Sequence, residues 1–284
     1  MTSDAEETAA DPVTDRWDDE WDEDWDDDTD EADSPEPTTT PVELSATIAA
    51  EDAGAEHLAI HGEIEILGRM PWSSNGTFLV TVTSGEDHAN AIYKPERFER
   101  PLWDYPTGLW RREISTFELS RALGWDLIPP TVRRDDDAPL GVGSLQFFVP
   151  AQFSEHYFTL RDRPEHLDAL RRMCALDLIA NNCDRKAGHV LVSEDGRIWG
   201  IDHGLSFHAE FKLRTVIWDF AGEPIGDDIA EAICGLLDAG LPDAMVELLD
   251  PFERAATLDR ARAVVSNGAF PSDPTGRRVP WPMV

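Results

Sequence analysis

Seventeen residues, 176–192, limit the folds open to this chain more than any other part of it. An apolar run with helical character, Leu176-Asp177-Leu178-Ile179-Ala180, gives way to the polar loop Asn181-Asn182-Cys183-Asp184-Arg185. A short apolar run follows at Val190-Leu191-Val192, then the turn sequence Glu194-Asp195-Gly196-Arg197, then Ile198-Trp199-Gly200-Ile201, which ends in Asp202-His203-Gly204. Two short β-branched and aromatic runs around a Gly-containing turn predict a hairpin. The stretch reads helix, polar loop, β-hairpin, aspartate. It sets Asp184 and Asp202, eighteen residues apart, at opposite ends of one hairpin. A helix feeding a small sheet in this way calls for an α+β fold.

The 284 residues suffice for one large domain or two lobes, and with 41% apolar residues most of the chain is expected to fold. The formal charge of −33 is unevenly spread: residues 1–36 hold eighteen acids and one base, Arg16. About half the charge therefore lies in that first segment. The remainder is moderately acidic, which argues against nucleic acid or an anionic membrane as a bulk partner. Cys174, Cys183 and Cys234 have neither metal-ligand spacing nor a disulfide pattern, so free thiols in a reducing cytosol are expected. The first residues are acidic rather than basic-then-apolar, unlike a signal peptide, and no run approaches the roughly 18 apolar residues of a membrane span. A soluble, cytoplasmic protein without a transmembrane segment is expected.

Residues 1–45 read as a disordered acidic tail, since such a composition buries too little apolar surface to offset its ordering entropy. Trp17, Trp21 and Trp25 recur in it every four residues. They are either incidental aromatics in a solvated tail or a docking motif for a protein partner or for the domain itself. Beyond the tail, 57–68 and 77–83 predict strands, and Asn90–Pro95 a third stopped by proline. A helix is predicted over 108–123, ended by Gly124, and two strands with a connector over 139–150. From 164 onward the chain reads as largely helical apart from the hairpin, with helices near 227–238, 242–249 and 251–266. The expected organisation is a β-rich nucleotide-binding lobe over 46–150 and an α-rich lobe over 151–284, with a cleft between them.

Phosphoryl transfer needs a cation on the phosphates, metal ligands and a group that orients the nucleophile. Each has a candidate, in chain order. Lys94 ends a strand and can reach α- and β-phosphates; the bland alternative is a surface lysine. Glu113, early in the predicted helix, can hold it by an ion pair, with Glu118 as a rival and Arg111 and Arg112 as competing cations. Ser73-Ser74-Asn75-Gly76, between two strands, has backbone amides suited to covering phosphates, or is a plain hairpin turn. Asp184 is the candidate catalytic acid–base group, and Arg185 either orients the loop or neutralises it. Asp202, shortly before a glycine, is the candidate Mg²⁺ ligand. A surface Asp-Arg pair and a turn-initiating Asp are the ordinary readings of these two sites, but their joint occurrence around one apolar hairpin favours function. His189 stands five residues after Asp184. Imidazole suits transition metals better than Mg²⁺, so His189 is a second metal ligand of unusual type, a contact to phosphate or substrate, or a sign of reduced activity. His203 and His208 add imidazoles nearby.

With these residues in hand, the chain resembles the phosphatidylinositol 3-/4-kinase-related branch of the protein-kinase-like superfamily. The nearest patterns are the type II phosphatidylinositol 4-kinases, the HipA-like bacterial kinases and an actinobacterial SCO-type group of phosphatidylinositol-kinase-like proteins. Asp177–Arg185 is similar to their Asp-x-x-Ile-x-Asn-x-Asp-Arg loop, and Gly200–Phe207 to their Ile-Asp-x-Gly-Leu-x-Phe segment. The resemblance covers about 60–265, with its specific part at 176–208. It implies a bilobal protein-kinase-like fold that binds ATP and Mg²⁺, with Mn²⁺ as an alternative ion. Adenine would lie along Gln146-Phe147-Phe148-Val149, Lys94 on the phosphates, Asp184 as the catalytic Asp and Asp202 on the metal. His189 departs from the family's Asn and puts a two-metal arrangement in doubt. The expected activity is transfer of the γ-phosphoryl group to a hydroxyl of a protein, an inositide or a small molecule. A pseudokinase or nucleotide-sensing scaffold and nucleotidyl transfer by the same fold are the alternatives.

Overall fold

The computed structural model describes residues 44–70, 73 and 75–284. The acidic segment, its three tryptophans and Ser74 lie outside the described residues. After a short helix α1 (Ala55–His61) come three strands, β1 (Glu63–Arg69), β2 (Phe78–Ser84) and β3 (Asp87–Pro95), then helix α2 (Trp110–Ala122). Strands β4 (Thr131–Arg134) and β5 (Gly143–Phe147) complete an antiparallel sheet of order β1-β2-β3-β5-β4. The rest is helical around one hairpin: α3 (Tyr157–Leu160), α4 (Leu167–Ala180), β6 (Val190–Val192), β7 (Ile198–Gly200), α5 (Asp227–Ala239), α6 (Asp243–Leu248) and α7 (Pro251–Asn267). A small β-rich lobe and a larger α-rich lobe result.

The hairpin is apolar on both faces because it joins two cores. Leu191 and Trp199, paired across it, point to one side and pack in the sheet's core with Phe78, Val80, Tyr93 and Leu145. Val190, Val192 and Ile198 point to the other and join Met173, Leu176 and Ile179 of α4. Alternation along a strand sends neighbouring side chains to opposite faces, so three-residue strands serve both cores. All six strand residues of the hairpin are buried.

Two expectations need correction. Residues 57–61 are helical rather than extended: Ala55, Leu58 and Ala59 are buried at helical spacing, and alternation begins only at Glu63. The 139–150 region contains one strand, β5; its partner β4 comes earlier, an edge strand of four residues that follows Pro129-Pro130 and was too short and charged to read. Residues 201–226, between the hairpin and the first of the closing helices, are irregular. Their backbone bonds the preceding loop: Cys183 N–H donates to Leu205 O at 2.9 Å, Arg214 N–H to Asn182 O at 3.0 Å and Arg185 N–H to Arg214 O at 3.1 Å. The predicted helix over 108–123 forms as α2, and Gly124 follows it in the left-handed region at φ +66°.

Candidate active site

A cavity of about 470 Å³ opens between the sheet and the hairpin. Ile92 and Lys94 of β3, the Gln146–Val149 segment, Leu191 and Ile201 form its walls, with Glu113, Asp184, His189 and Asp202 reaching in. Three distant parts of the chain meet at Lys94. Its ammonium bonds Glu113 Oε1 of α2 at 2.5 Å and Asp202 Oδ1 at 2.9 Å. Glu113 is buried, and its second oxygen accepts the backbone N–H of His203 at 2.9 Å, tying α2 to the segment after β7. Glu118 faces away and pairs with Arg121 instead. Burial opposes the charge on Lys94, but Asp202 and Glu113 outweigh it and hold the ammonium above the usual lysine range. Lys94 in turn holds Asp202 well below the usual carboxylate range.

The hairpin register sets the other half. Ile201 N–H donates to His189 O at 3.0 Å, extending the β6–β7 pairing by one step, so His189 and Asp202 lie side by side. His189 Nε2 is 3.4 Å from Asp202 Oδ2. Asp202 takes φ +60°, a left-handed conformation that aspartate tolerates better than most residues. Asp184 faces the same cavity and pairs with Lys186 at 3.2 Å. Burial holds its carboxyl above the ordinary range, against the pull of Lys186 and His189. Burial also lowers the His189 imidazole below its usual value.

Arg185 does not reach the cavity. Its side chain is wholly buried and chelates Asp177 of α4, Nε to Oδ2 and Nη2 to Oδ1 both at 2.9 Å. Its remaining donors go to the carbonyls of His189 and Ile201, each at 3.1 Å, and to His203 Nε2 at 2.6 Å. Arg185 thus anchors both ends of the hairpin to α4. Because arginine only donates, His203 Nε2 must accept, which puts the ring proton on Nδ1. That atom is buried without a hydrogen-bond partner among the described residues. Asp177 and His203 went unassigned from sequence. A lone acid within an apolar helical run was the available signal for Asp177.

The loop at 73–76 meets the cavity with Ser73, Asn75 and Gly76. The Gly76 amide is already spent on Phe98 O at 3.0 Å, so it is not free to cover phosphates as expected. Glycine is required there for another reason: a Cβ would lie 2.2 Å from Phe98 Cβ. Phe148 also lines the cavity, and its amide is bonded to Asn90 O at 3.0 Å. Among the described residues no cluster of three or more His, Cys, Asp or Glu side chains could hold a metal by itself, and no helix is long and apolar enough to cross a membrane.

Residues 117–259 match the family model of phosphatidylinositol 3- and 4-kinase. The Mycobacterium tuberculosis protein Rv2133c is 37% identical over 265 residues, covering 80% of this chain and 95% of that protein. The chain belongs to the phosphatidylinositol 3- and 4-kinase family. That membership puts it among the kinase-type phosphotransferases. The matched region contains Asp184 and Asp202, whereas Lys94 and Glu113 lie upstream of it. Phosphatidylinositol 4-kinase gamma 4 of Oryza sativa subsp. japonica is 28% identical over 212 residues, 61% of this chain and 37% of the rice protein. Phosphatidylinositol 4-kinase gamma 3 of Arabidopsis thaliana is 32% identical over 148 residues, 44% of this chain and 25% of that protein. The family chain described here thus spans well under half of either plant kinase. A solved structure of hydra Fam20 with sugar superposes with a TM-score of 0.50 at 13% identity, covering 80% of this chain and 92% of that one, a likeness of fold.

Proposed function

We propose that this chain transfers the γ-phosphoryl group of ATP to a hydroxyl acceptor. The observation that carries the reading is the convergence of Lys94, Glu113 and Asp202, from three separate segments, on one ion-pair network in the cavity that Asp184 also faces. Lys94, fixed by buried Glu113, presents a point charge to phosphate oxygens. The Val149 amide, at the cavity wall and without a partner among the described residues, suits the edge of an adenine ring. Asp184 takes the acceptor's hydroxyl proton as that oxygen bonds the γ-phosphorus and the bond to the ADP oxygen breaks. A carboxyl raised by burial is better matched to that task than a solvated one.

The donors fit Mg²⁺. This ion takes one or two protein carboxylates and completes its shell with phosphate oxygens and water. Asp202, half-exposed, and Asp184 supply hard oxygens of that kind, and His189 alone supplies nitrogen. Bound with the nucleotide, Mg²⁺ would neutralise charge on the phosphates. Mn²⁺, which accepts imidazole more readily, is the alternative.

One observation favours a second reading, a nucleotide-binding scaffold without transfer: His189 flanks Asp202 where the family has Asn. The experiment is ATP binding by calorimetry and phosphate release or transfer from γ-labelled ATP, with Mg²⁺ or Mn²⁺, for the full chain and Asp202→Ala. The kinase reading expects turnover that falls by about 10²-fold or more in the variant, the scale for removing a charge-stabilising group. Binding with no transfer to lysate proteins, inositides or small metabolites favours the scaffold. Absence of both binding and turnover overturns both readings. Transfer of labelled AMP instead of phosphate would assign nucleotidyl transfer.

A further inference from the structure

Helix α2 carries Glu113 in its first turn, yet its own N-cap residue, Leu109, has no side chain able to cap it. The orphaned amides are satisfied from outside the helix. Glu99 Oε2 accepts the N–H groups of Gly108 at 2.8 Å and Leu109 at 2.9 Å, and Oε1 accepts that of Trp110 at 3.0 Å. One carboxylate thus closes three backbone donors, and its charge sits at the positive end of the helix. The residues around Glu99 hold a second element. Phe98 O accepts the Gly76 N–H at 3.0 Å, and Arg100 N–H donates to Asn75 Oδ1 at 2.9 Å. The Phe98 ring packs against Phe78 of β2, with centroids 5.3 Å apart, and leaves no room for a side chain on Gly76. Three consecutive residues, 98–100, therefore grip the loop before β2 on one side and the start of α2 on the other. Asn75, Gly76, Glu99, Arg100 and Glu113 all line the same cavity.

We infer that Glu99 is a positioning residue that fastens the start of α2 to Asn75 and Gly76 at the cavity, so that these residues and the helix start act as one unit and Glu113 stays against Lys94. The inference rests on the reading of this cavity as a nucleotide site. Glu99 acts through Glu113 and Lys94; both its oxygens are already committed to backbone amides. Loosening either end then loosens the other. Nothing in the local sequence signals this, because the capping carboxylate lies eleven residues before the first residue of the helix it caps.

The test is Glu99→Gln in the full chain, an isosteric change that turns an amide N–H₂ toward at least one of the three donors. Amide hydrogen exchange is followed at 75–77 and 108–113, and ATP affinity and kcat are measured separately. Exchange should accelerate at both segments together, and ATP affinity should weaken by about tenfold, the scale of a lost cap. Rate at saturating ATP should change less, since bound nucleotide reseats the unit. Glu99→Asp keeps the charge but is one methylene too short to reach all three amides, and should fall between wild type and Glu99→Gln. It also serves if the first variant folds poorly. Glu118→Gln, a carboxylate on α2 that pairs with Arg121 and, among the described residues, reaches neither Lys94 nor Glu99, should leave ATP affinity unchanged. The inference is overturned if exchange rises at 108–113 but not at 75–77, if ATP affinity does not move, or if Glu118→Gln weakens it equally. A wild-type chain that binds no nucleotide would defeat the kinase reading instead, while the two exchange measurements still decide whether the clasp exists.

Discussion

Replacing Arg185 by Met removes the charge that ties the hairpin to α4. Met keeps much of the side-chain volume, so the loss is electrostatic rather than a large cavity. Asp177, almost fully buried, would keep, among the described residues, only Asn182 Nδ2 at 3.1 Å and Thr215 Oγ1 at 3.4 Å as side-chain partners. Removing one partner of a buried pair costs about 3–5 kcal/mol, because the other charge is left uncompensated. The carbonyls of His189 and Ile201 lose a donor as well. Against a total stability of about 5–15 kcal/mol, this is a large fraction. For a domain of this size it corresponds to a fall in Tm of roughly 6–20 °C. The assay is urea unfolding at constant slope, repeated for Asp177→Leu and for the double variant Asp177→Leu/Arg185→Met. The double variant carries no stranded charge, so its cost should fall short of the sum of the singles by about 1–3 kcal/mol. Activity should fall with the single Arg185 change even where the chain remains folded, because the two carbonyls flank the side chains that meet at Asp202. A single variant that loses less than about 1 kcal/mol, or strict additivity in the double, would refute the anchoring role.

Stability should also depend on pH through His203. Burial, then the adjacent Arg185, hold its pKa well below the ordinary 6.5, with Glu113, Asp202, Lys94 and His189 as the other charged or titratable neighbours. The folded chain keeps the ring neutral while the unfolded chain takes a proton below about 6.5, so stability is lost as pH falls through that value. The slope is about 1.4 kcal/mol per pH unit for one proton. His203→Gln should flatten the urea midpoint against pH between 6.5 and 5; an unchanged profile would show that the ring is not held neutral. Gly76→Ala would drive a methyl into Phe98, at a cost of about 1–3 kcal/mol for overpacking. Nucleotide affinity should fall with it, and a variant equal to wild type in Tm and affinity would mean that the loop yields without consequence.

Much of the site was legible because its residues lie close together in the chain. Asp184, His189 and Asp202 are spaced by a hairpin whose apolar runs and glycine turn announce themselves locally, and Leu191 and Trp199 carry their burial in their composition. The order of Lys94 and Glu113 ahead of them was readable too, along with a strand for one and a helix for the other. Local pattern ran out where a residue's role depends on a distant partner. Arg185 could be read as orienting the loop or neutralising Asp184, and only packing turned its side chain inward to Asp177 and the two carbonyls. Gly76 looked like a phosphate-covering glycine, and only the approach of Phe98 consumed its amide. Residues 201–226 show no helical period, but that their backbone bonds the 182–185 loop was visible only in the fold. By itself, then, the sequence determined the elements whose hydrogen bonds and apolar faces close within a few residues, and with them the family's motif. The tertiary structure alone decided which charges are buried, which amides are spent and what caps α2, because those outcomes rest on contacts between segments tens to a hundred residues apart, whose register no local periodicity encodes.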